Sequence, residues 1–319
     1  MRVLALVPGG IDDQLRFFPI VNQLSSEFKT SEITVVVSPE AKDIYSLSKA
    51  VTEVVPYTFG VSNSPADKAN LLGIVRDRDF DVVLTGTQSW SVAILLWLSG
   101  IPTRLGFAGG ANNWLLTKTV PLKADQPLSA QYSTLLHQLN VGSPPPPLTI
   151  NVPQGDIAAV EAMGKAANLE GGYVLAYPGP THAGDSYPIQ AWVSVLKDFQ
   201  QRQPDLPVVL IQTSATADPV AAIQAQLPSV KTMEPETSGQ LAALIAGANL
   251  LISVDSYPLY LAKALDVYAL GLLGAEEVDA ALVTGNGDDQ RLVTIASKTG
   301  QLADLDPTTV LQTIWSEAA

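Results

Sequence analysis

Two glycines and two adjacent carboxylates follow the first apolar segment of the chain. Gly9 and Gly10 end that segment, and Asp12 and Asp13 come where a helix is expected to begin. A glycine-rich turn into a helix N-terminus can hold an anion, and a carboxylate there can act as a general base. The same carboxylates can instead cap the helix and interact favourably with its dipole. The dinucleotide-binding spacing G-x-G-x-x-G is missing from this loop, so the residues alone favour the capping role.

Strand and helix patterns alternate along the chain, which predicts an α/β fold of doubly wound parallel sheets. Phe17, Val21, Leu24 and Phe28 recur at helical spacing, as expected of a helix that lies on a sheet. Short continuous apolar runs are typical of buried parallel strands, and we expect them at 3–7, 33–37, 82–85, 173–177, 208–212, 250–254 and 267–273.

Four consecutive prolines, Pro144 to Pro147, interrupt this alternation. Such a run forms neither a helix nor a central strand and acts as a semi-rigid spacer. We therefore predict a Rossmann-like domain at 1–142, a linker at 143–153 and a second Rossmann-like domain at 154–319. Ligands of such domains bind at the carboxyl ends of the strands, here expected in a cleft between the two domains.

The composition excludes several classes of function. A net charge of −13 argues against a nucleic-acid partner and against broad electrostatic docking on an anionic membrane. No apolar run reaches the length of a membrane span, so at most peripheral membrane contact is expected. The lack of cysteine favours a reducing compartment, and we expect a cytoplasmic protein. Five basic residues of the N-terminal half form either a local patch or scattered surface charge: Arg76, Arg78, Arg104, Lys118 and Lys123.

The start of the chain resembles glycosyltransferase family 9, the ADP-heptose:lipopolysaccharide heptosyltransferase family. That family has a strand, a glycine-containing loop, and an aspartate with a proline six positions on, and Asp13, Leu15 and Pro19 stand at this spacing. The family's glycine before the aspartate is replaced by Asp12. Further segments match in the family's order, namely 81–84, 104–107, 238–241 and 255–256.

This resemblance implies a GT-B-like fold with two domains facing each other across a cleft. The N-terminal domain would take the acceptor, and the C-terminal domain would hold a nucleotide sugar. Asp13 would act as the general base that takes the proton of the acceptor hydroxyl. The departing diphosphate would need helix N-terminal amides and a basic side chain, and no metal or further cofactor is expected.

The first donor motif departs from the family pattern. A hydroxyl residue is followed four positions later by a phosphate-binding lysine in the family, and here Thr181 is followed by Asp185. This replaces one positive charge by a negative one beside an anionic leaving group. Two like charges about 4 Å apart at an effective dielectric constant of ~20 repel by roughly 4 kcal/mol. His182 can supply some positive charge or can simply be solvated.

The second donor motif departs as well. Ser238 leads towards it, and Asp255 and Ser256 match the family, but the expected glycine is Tyr257 and the expected histidine is Tyr260. A glycine lets the backbone approach a phosphate closely, and a side chain fills that space. The two rings either pack over an unused site or stack on a different base or sugar.

Two functions of different classes follow. The first is a divergent glycosyltransferase that moves a sugar from a nucleotide sugar to a glycan or glycolipid acceptor, with Asp13 as base. The alternative is a non-catalytic GT-B-fold protein with a degenerate phosphate site, which acts as a scaffold or binds a protein partner. Its acidic surface would suit a basic partner. A sugar-nucleotide epimerase is a weaker third reading, because it needs a basic diphosphate site that the sequence does not offer.

Overall fold

The computed structural model describes residues 1–59, 64–123, 128–142, 146–181, 184–274 and 291–316. The chain divides into two compact units, Met1–Thr149 and Ile150–Ala319. His182 and the first two residues of the proline run, Pro144 and Pro145, lie outside the described residues.

The first unit is built on a parallel sheet. Its strands are β1 (Arg2–Val7), β2 (Glu32–Val37), β3 (Glu53–Pro56), β4 (Val82–Thr85), β5 (Thr103–Phe107) and β6 (Lys118–Val120). Its helices are α1 (Ile11–Glu27), α2 (Pro65–Arg76), α3 (Trp90–Leu98), α4 (Asn112–Leu115) and α5 (Leu128–His137), with short 3-10 helices at Pro39–Ala41 and Asp43–Leu47. The strand order is β3-β2-β1-β4-β5-β6.

The strands of this sheet are nearly continuous apolar runs because helices cover both of its faces. β1 and β4 are buried along almost their whole length, and the α1 residues Phe17, Val21 and Leu24 are fully buried. The prediction for Phe28 is wrong, since it is the C-cap of α1 and only half-buried. Its amide donates to the Leu24 carbonyl and ends the helix there.

The second unit repeats this plan. Its strands are β7 (Val174–Tyr177), β8 (Val208–Ile211), β9 (Lys231–Met233), β10 (Leu250–Val254), β11 (Ala269–Leu273) and β12 (Leu292–Ala296). Its helices are α6 (Gln154–Ala166), α7 (Ile189–Arg202), α8 (Ala217–Gln226), α9 (Ser238–Ala246), α10 (Tyr257–Ala264) and α11 (Pro307–Ser316), with a 3-10 turn at Leu302–Asp304. The strand order is β12-β11-β10-β7-β8-β9, again all parallel.

Three strands of this unit are shorter than the apolar pattern predicts. β8 ends at Ile211, one residue before the predicted end. Tyr173 donates its amide to the side chain of Asn249 at 2.9 Å, so β7 begins one residue later. Val267 donates its amide to the Ala262 carbonyl and closes the end of α10, so β11 begins at Ala269. The side chains of Tyr173 and Val267 are buried although their amides bond outside the ladder. The apolar run in the sequence therefore starts one or two residues before the strand.

The predicted α/β class is confirmed, with two Rossmann-like parallel sheets. Across the described ranges, no helix combines the length and the apolar character needed to cross a bilayer. The predicted basic residues do not act as one patch of available charge. Arg78 bonds to Glu53 at 2.8 Å, and this ion pair lowers the pKa of the Glu53 carboxyl. Arg104 is turned towards the carbonyls of Ile101 and Leu115.

Candidate functional site

The turn after β1 holds the predicted catalytic aspartate. Gly10 is the N-cap of α1, so the prediction that Asp12 or Asp13 caps this helix by occupying that position is wrong. Asp13 is the third helical residue, and its Oδ2 accepts the amide of Gly10 at 3.0 Å. Arg16 lies 3.4 Å from its Oδ1, and the Asp13 side chain is 21% exposed. The carboxylate thus holds the turn closed and still reaches solvent.

Gly9 is the residue that brings this turn so close to the aspartate. Its φ is +114°, a region that favours glycine, and a Cβ at this position would collide with the Asp13 carboxylate. The glycine-rich loop therefore has a local structural reason that needs no bound anion.

Three buried polar groups that the sequence analysis missed support the turn. Gln14 is fully buried, donates to the Val7 carbonyl at 3.1 Å and accepts the hydroxyl of Tyr45 at 2.9 Å. Burial, with a smaller contribution from the Asp13 charge, raises the pKa of Tyr132 above its ordinary value. The sequence could have indicated Gln14, because it is a polar residue at helical spacing within the apolar stripe of α1. No local pattern pointed to Tyr45 or Tyr132, since both come from distant segments.

The loop after β7 contains the first predicted donor residues. Asp185 donates its amide to the Thr181 hydroxyl at 2.9 Å, and the Thr181 amide donates to the Asp185 carbonyl at 2.7 Å. Gly184 closes the same turn by donating to the Thr181 carbonyl. The Thr181 hydroxyl is thus used within the loop, and Asp185 is exposed to solvent.

Two aromatic rings occupy the carboxyl ends of β7 and β10. These strands are neighbours, with Ser253 paired to Tyr177, so the turns that follow them meet at one edge of the sheet. The rings of Tyr177 and Tyr257 contact each other edge to face, with centroids 5.9 Å apart. The Tyr177 ring also covers Gly179, where any Cβ would collide with it. Packing of the rings against each other agrees with the first of the two readings of Tyr257.

The start of α10 offers few amides to an anion. Ser256 is the buried N-cap, and its hydroxyl donates to the Val254 carbonyl at 3.3 Å. Pro258 is the second helical residue and has no amide proton, while Leu259 donates its amide to the Ser256 carbonyl at 2.9 Å. A helix N-terminus binds anions through such amides, and here one is missing and another is used within the turn.

The other two residues of the second donor motif, Tyr260 and Asp255, are wholly or partly buried in the second unit. Tyr260 is only 1% exposed and belongs to the core of the second unit. Asp255 is half-buried, and its amide donates to the Leu272 carbonyl at 3.1 Å. The predicted reading of Tyr260 as a ring that packs rather than stacks on a ligand agrees with this burial.

Ser238 begins α9, and its neighbours tie that helix to α6. Thr237 is the N-cap, and its hydroxyl accepts the amide of Gln240 at 3.0 Å. The same hydroxyl donates to Asp156 at 3.0 Å, and Gly239 leaves the space that the Asp156 carboxylate occupies. α9 also packs against α10.

The charges at this edge have one sign. The connections that follow β7, β8, β9 and β10 contain no Lys or Arg, and their acidic residues are Asp185, Glu234, Glu236 and Asp255. In the described part of the chain, no group of three or more acidic or histidine side chains is placed to hold a metal ion. The described residues of these four connections therefore include no cationic side chain for a diphosphate.

The described residues of the second unit enclose cavities, two of which have similar volumes. One, of about 510 Å³, lies beside the loop after β7 and is lined by residues such as Pro178 and Tyr187. The other, of about 490 Å³, lies between α6 and α9. None of the predicted donor residues lines either cavity. The roles of the predicted site residues stay predictions.

Comparison with known proteins places this architecture among glycosyltransferases. The chain is 23% identical over 337 residues to the photosynthetic NDH subunit of subcomplex B 1, chloroplastic, of Arabidopsis thaliana, covering 97% of this chain and 72% of that protein. It is 22% identical to lipopolysaccharide heptosyltransferase 3 of Escherichia coli, covering 83% and 81% of the two chains. The crystal structure of the glycosyl transferase family 9 from Veillonella parvula superimposes with a TM-score of 0.84 at 16% identity, covering 99% and 96%.

The family comparison gives the same result. The GT-B-like fold class is confirmed by the structural agreement, and the resemblance on which the sequence analysis relied is confirmed as well. The model of glycosyltransferase family 9 (heptosyltransferase) matches residues 70–304, a range that does not include Asp13. Because this match spans more than half of the chain, the protein belongs to glycosyltransferase family 9.

Proposed function

We propose that this chain is a family 9 protein that binds a basic partner protein and does not use a nucleoside diphosphate sugar as a glycosyl donor. The observation that carries this proposal is the carboxyl edge of β7 and β10. An aromatic pair, Tyr177 and Tyr257, fills the space beside it, and its connections carry carboxylates without any Lys or Arg. That surface repels phosphate and attracts cationic side chains.

The chemistry of glycosyl transfer explains why these features matter. A nucleoside diphosphate leaves with growing negative charge, and the enzyme must stabilise that charge with amides or cations. The family resemblance implies a lysine at the position of Asp185, and Pro258 removes an amide from the start of α10. Each change raises the energy of the bound diphosphate, and together they act on the same leaving group.

The charge of the second unit and one relative support a partner protein. Ile150–Ala319 contains 7 Lys or Arg and 19 Asp or Glu, so this unit carries nearly all of the net charge of −13. Complementary charge speeds the encounter of such a surface with a basic protein. The Arabidopsis relative is named as a subunit of a larger assembly, which favours a role through contacts with other chains.

The test is a thermal melt of the full chain with ADP, GDP, UDP and CMP and their sugar conjugates at millimolar concentration. We expect no rise in melting temperature with any of them, because the diphosphate site lacks cationic groups. A ligand at about 100 times its dissociation constant would add roughly 2.7 kcal/mol to the free energy of unfolding, a shift of several degrees. A clear shift with one nucleotide would overturn the proposal and name the donor class.

A divergent glycosyltransferase is the second candidate, and the position of Asp13 favours it. The carboxylate stands at the N-terminus of α1, partly exposed, beside Arg16. If transfer occurs, Asp13→Asn is expected to lower the release of nucleoside diphosphate by about a hundredfold or more. An asparagine oxygen can still accept the Gly10 amide, so the fold should persist. Asp12→Asn is the matched control, and equal rates in both variants would rule this candidate out.

A further inference from the structure

Three of the five tryptophans of the chain are exposed on the first unit. Trp90 is 66% exposed, Trp97 is 54% exposed and Trp114 is 88% exposed, and Leu98 and Leu122 are about half exposed nearby in the chain. A single exposed apolar residue is ordinary, whereas several large ones in one region mark a contact surface. We call Trp90, Trp97 and Trp114 the tryptophan face.

The fold places these indoles on adjacent helices. Trp90 and Trp97 are seven residues apart on α3, which puts them on the same side of that helix, about two turns apart. Trp114 lies on α4, which packs against α3. The Asn112 side chain donates to the carbonyls of Thr87 and Phe107, and this fixes the start of α4 to the loop before α3.

The tryptophan face is not needed to complete the core. The opposite side of α3 carries Val92, Leu95 and Leu96, which are buried in the hydrophobic cluster of the first unit. The three indoles therefore contribute little to the packing of the core, and this packing does not explain why they are exposed to water. A rigid helix pair presents them, so little conformational entropy is lost when they meet another surface.

The charges around the tryptophan face differ from those of the rest of the chain. Residues 82–124 contain no Asp or Glu, although the chain has 31 of them. Lys118 and Lys123 are exposed in this stretch, while Arg104 is turned inward. The first unit as a whole is almost neutral, with 11 Lys or Arg and 12 Asp or Glu. This stretch of the chain thus supplies indoles and ammonium groups but no carboxylate, and the Lys118 ammonium also donates to the Gln138 carbonyl at 2.7 Å.

We propose that the tryptophan face docks this protein on the surface of a lipid bilayer. Indole rings prefer the boundary between headgroups and acyl chains, where the ring is apolar and its N–H stays hydrated. The exposed Lys118 and Lys123 of the same stretch suit lipid phosphates, and its lack of carboxylates suits an anionic surface. Docking is driven by insertion of the indoles, so it does not need the broad positive surface that the net charge of −13 excludes.

The test uses flotation of the full chain with vesicles of phosphatidylcholine and of phosphatidylcholine mixed equally with phosphatidylglycerol. We expect the chain to float with both, more strongly with the mixture, and its tryptophan emission to shift to shorter wavelength. The triple variant W90A/W97A/W114A should partition about a hundredfold less. Its melting temperature should match that of the unaltered chain, since all three side chains are exposed.

Two further variants sharpen the result. Tyr268→Ala removes a ring that is 55% exposed on the second unit and should leave flotation unchanged. Trp114→Ala alone, at the most exposed position, should weaken flotation without any effect on folding. The proposal is overturned if the unaltered chain remains unbound to both kinds of vesicle, which would leave the face to a protein partner. It is overturned equally if the triple variant floats as well as the unaltered chain.

Discussion

Asp185→Lys combined with Tyr257→Gly is expected to create a site that binds a nucleoside diphosphate about a thousandfold more tightly than the unaltered chain. Asp185 is exposed at the carboxyl edge of β7, so a lysine there faces the same space without loss of a buried contact. The change swings the local charge by two units, and a like-charge repulsion of roughly 4 kcal/mol is removed. That free energy equals about three decades of affinity.

The glycine gives a phosphate the access to the backbone that this gain requires. Tyr257 packs on Tyr177 at the first turn of α10, and its removal opens the backbone there to a phosphate. Isothermal titration calorimetry with ADP and UDP measures the affinity. The melting temperature of the variant without nucleotide shows whether it is folded. Glu170→Lys, which makes the same charge change in the turn before β7, is the control. If the double variant gives no more heat than Glu170→Lys, the edge described here is not a latent diphosphate site.

Gly9→Ala is expected to lower the free energy of unfolding by about 3 kcal/mol. A φ of +114° costs a residue with a Cβ roughly 1–3 kcal/mol. The added methyl group also collides with the Asp13 carboxylate, which must then release the Gly10 amide that it caps. The loss of such a cap costs about 1 kcal/mol. Urea unfolding of the full chain, followed by circular dichroism, measures the change.

Gly100→Ala separates the two causes of this loss. Gly100 also has a positive φ, of +79°, but a Cβ there meets no atom within 4 Å. Its replacement should cost about 1 kcal/mol, from backbone strain alone. Equal losses in both variants would show that the contact between Gly9 and Asp13 contributes nothing to the stability of the turn.

The strand pattern of the sequence was informative because burial on both faces leaves a continuous apolar run. β4 and β10 were predicted to the residue, and β1 and β2 differ by one position at the start. The starts of β7 and β11 and the end of β8 were misplaced because hydrogen bonds, and not hydrophobicity, decide where a ladder begins and ends. Edge strands such as β6, with three residues and little burial, carry no run long enough to recognise.

The candidate site could be predicted only in part, because its geometry depends on contacts between distant segments. The order of motifs located Asp13, Asp185 and Tyr257 on the chain. It did not show that Asp13 serves Gly10 as a capping group or that Tyr257 meets Tyr177, 80 positions earlier. The exposure of the three tryptophans was also beyond the pattern, since α3 reads as apolar on all sides. Whether the chain transfers sugar stays a prediction in either direction.

The contact between Tyr177 and Tyr257 limits which substitutions this edge of the sheet can accept. A single mutation that introduces a glycine at position 257 would uncover the Tyr177 ring and lose an aromatic contact of about 1 kcal/mol. Gly179 is constrained by the same ring, because no residue with a Cβ fits beneath it. Positions 179 and 257 are thus coupled through one ring, because a change at either position alters the packing of Tyr177. Substitutions at these two positions are therefore expected to be non-additive in their effect on the free energy of unfolding.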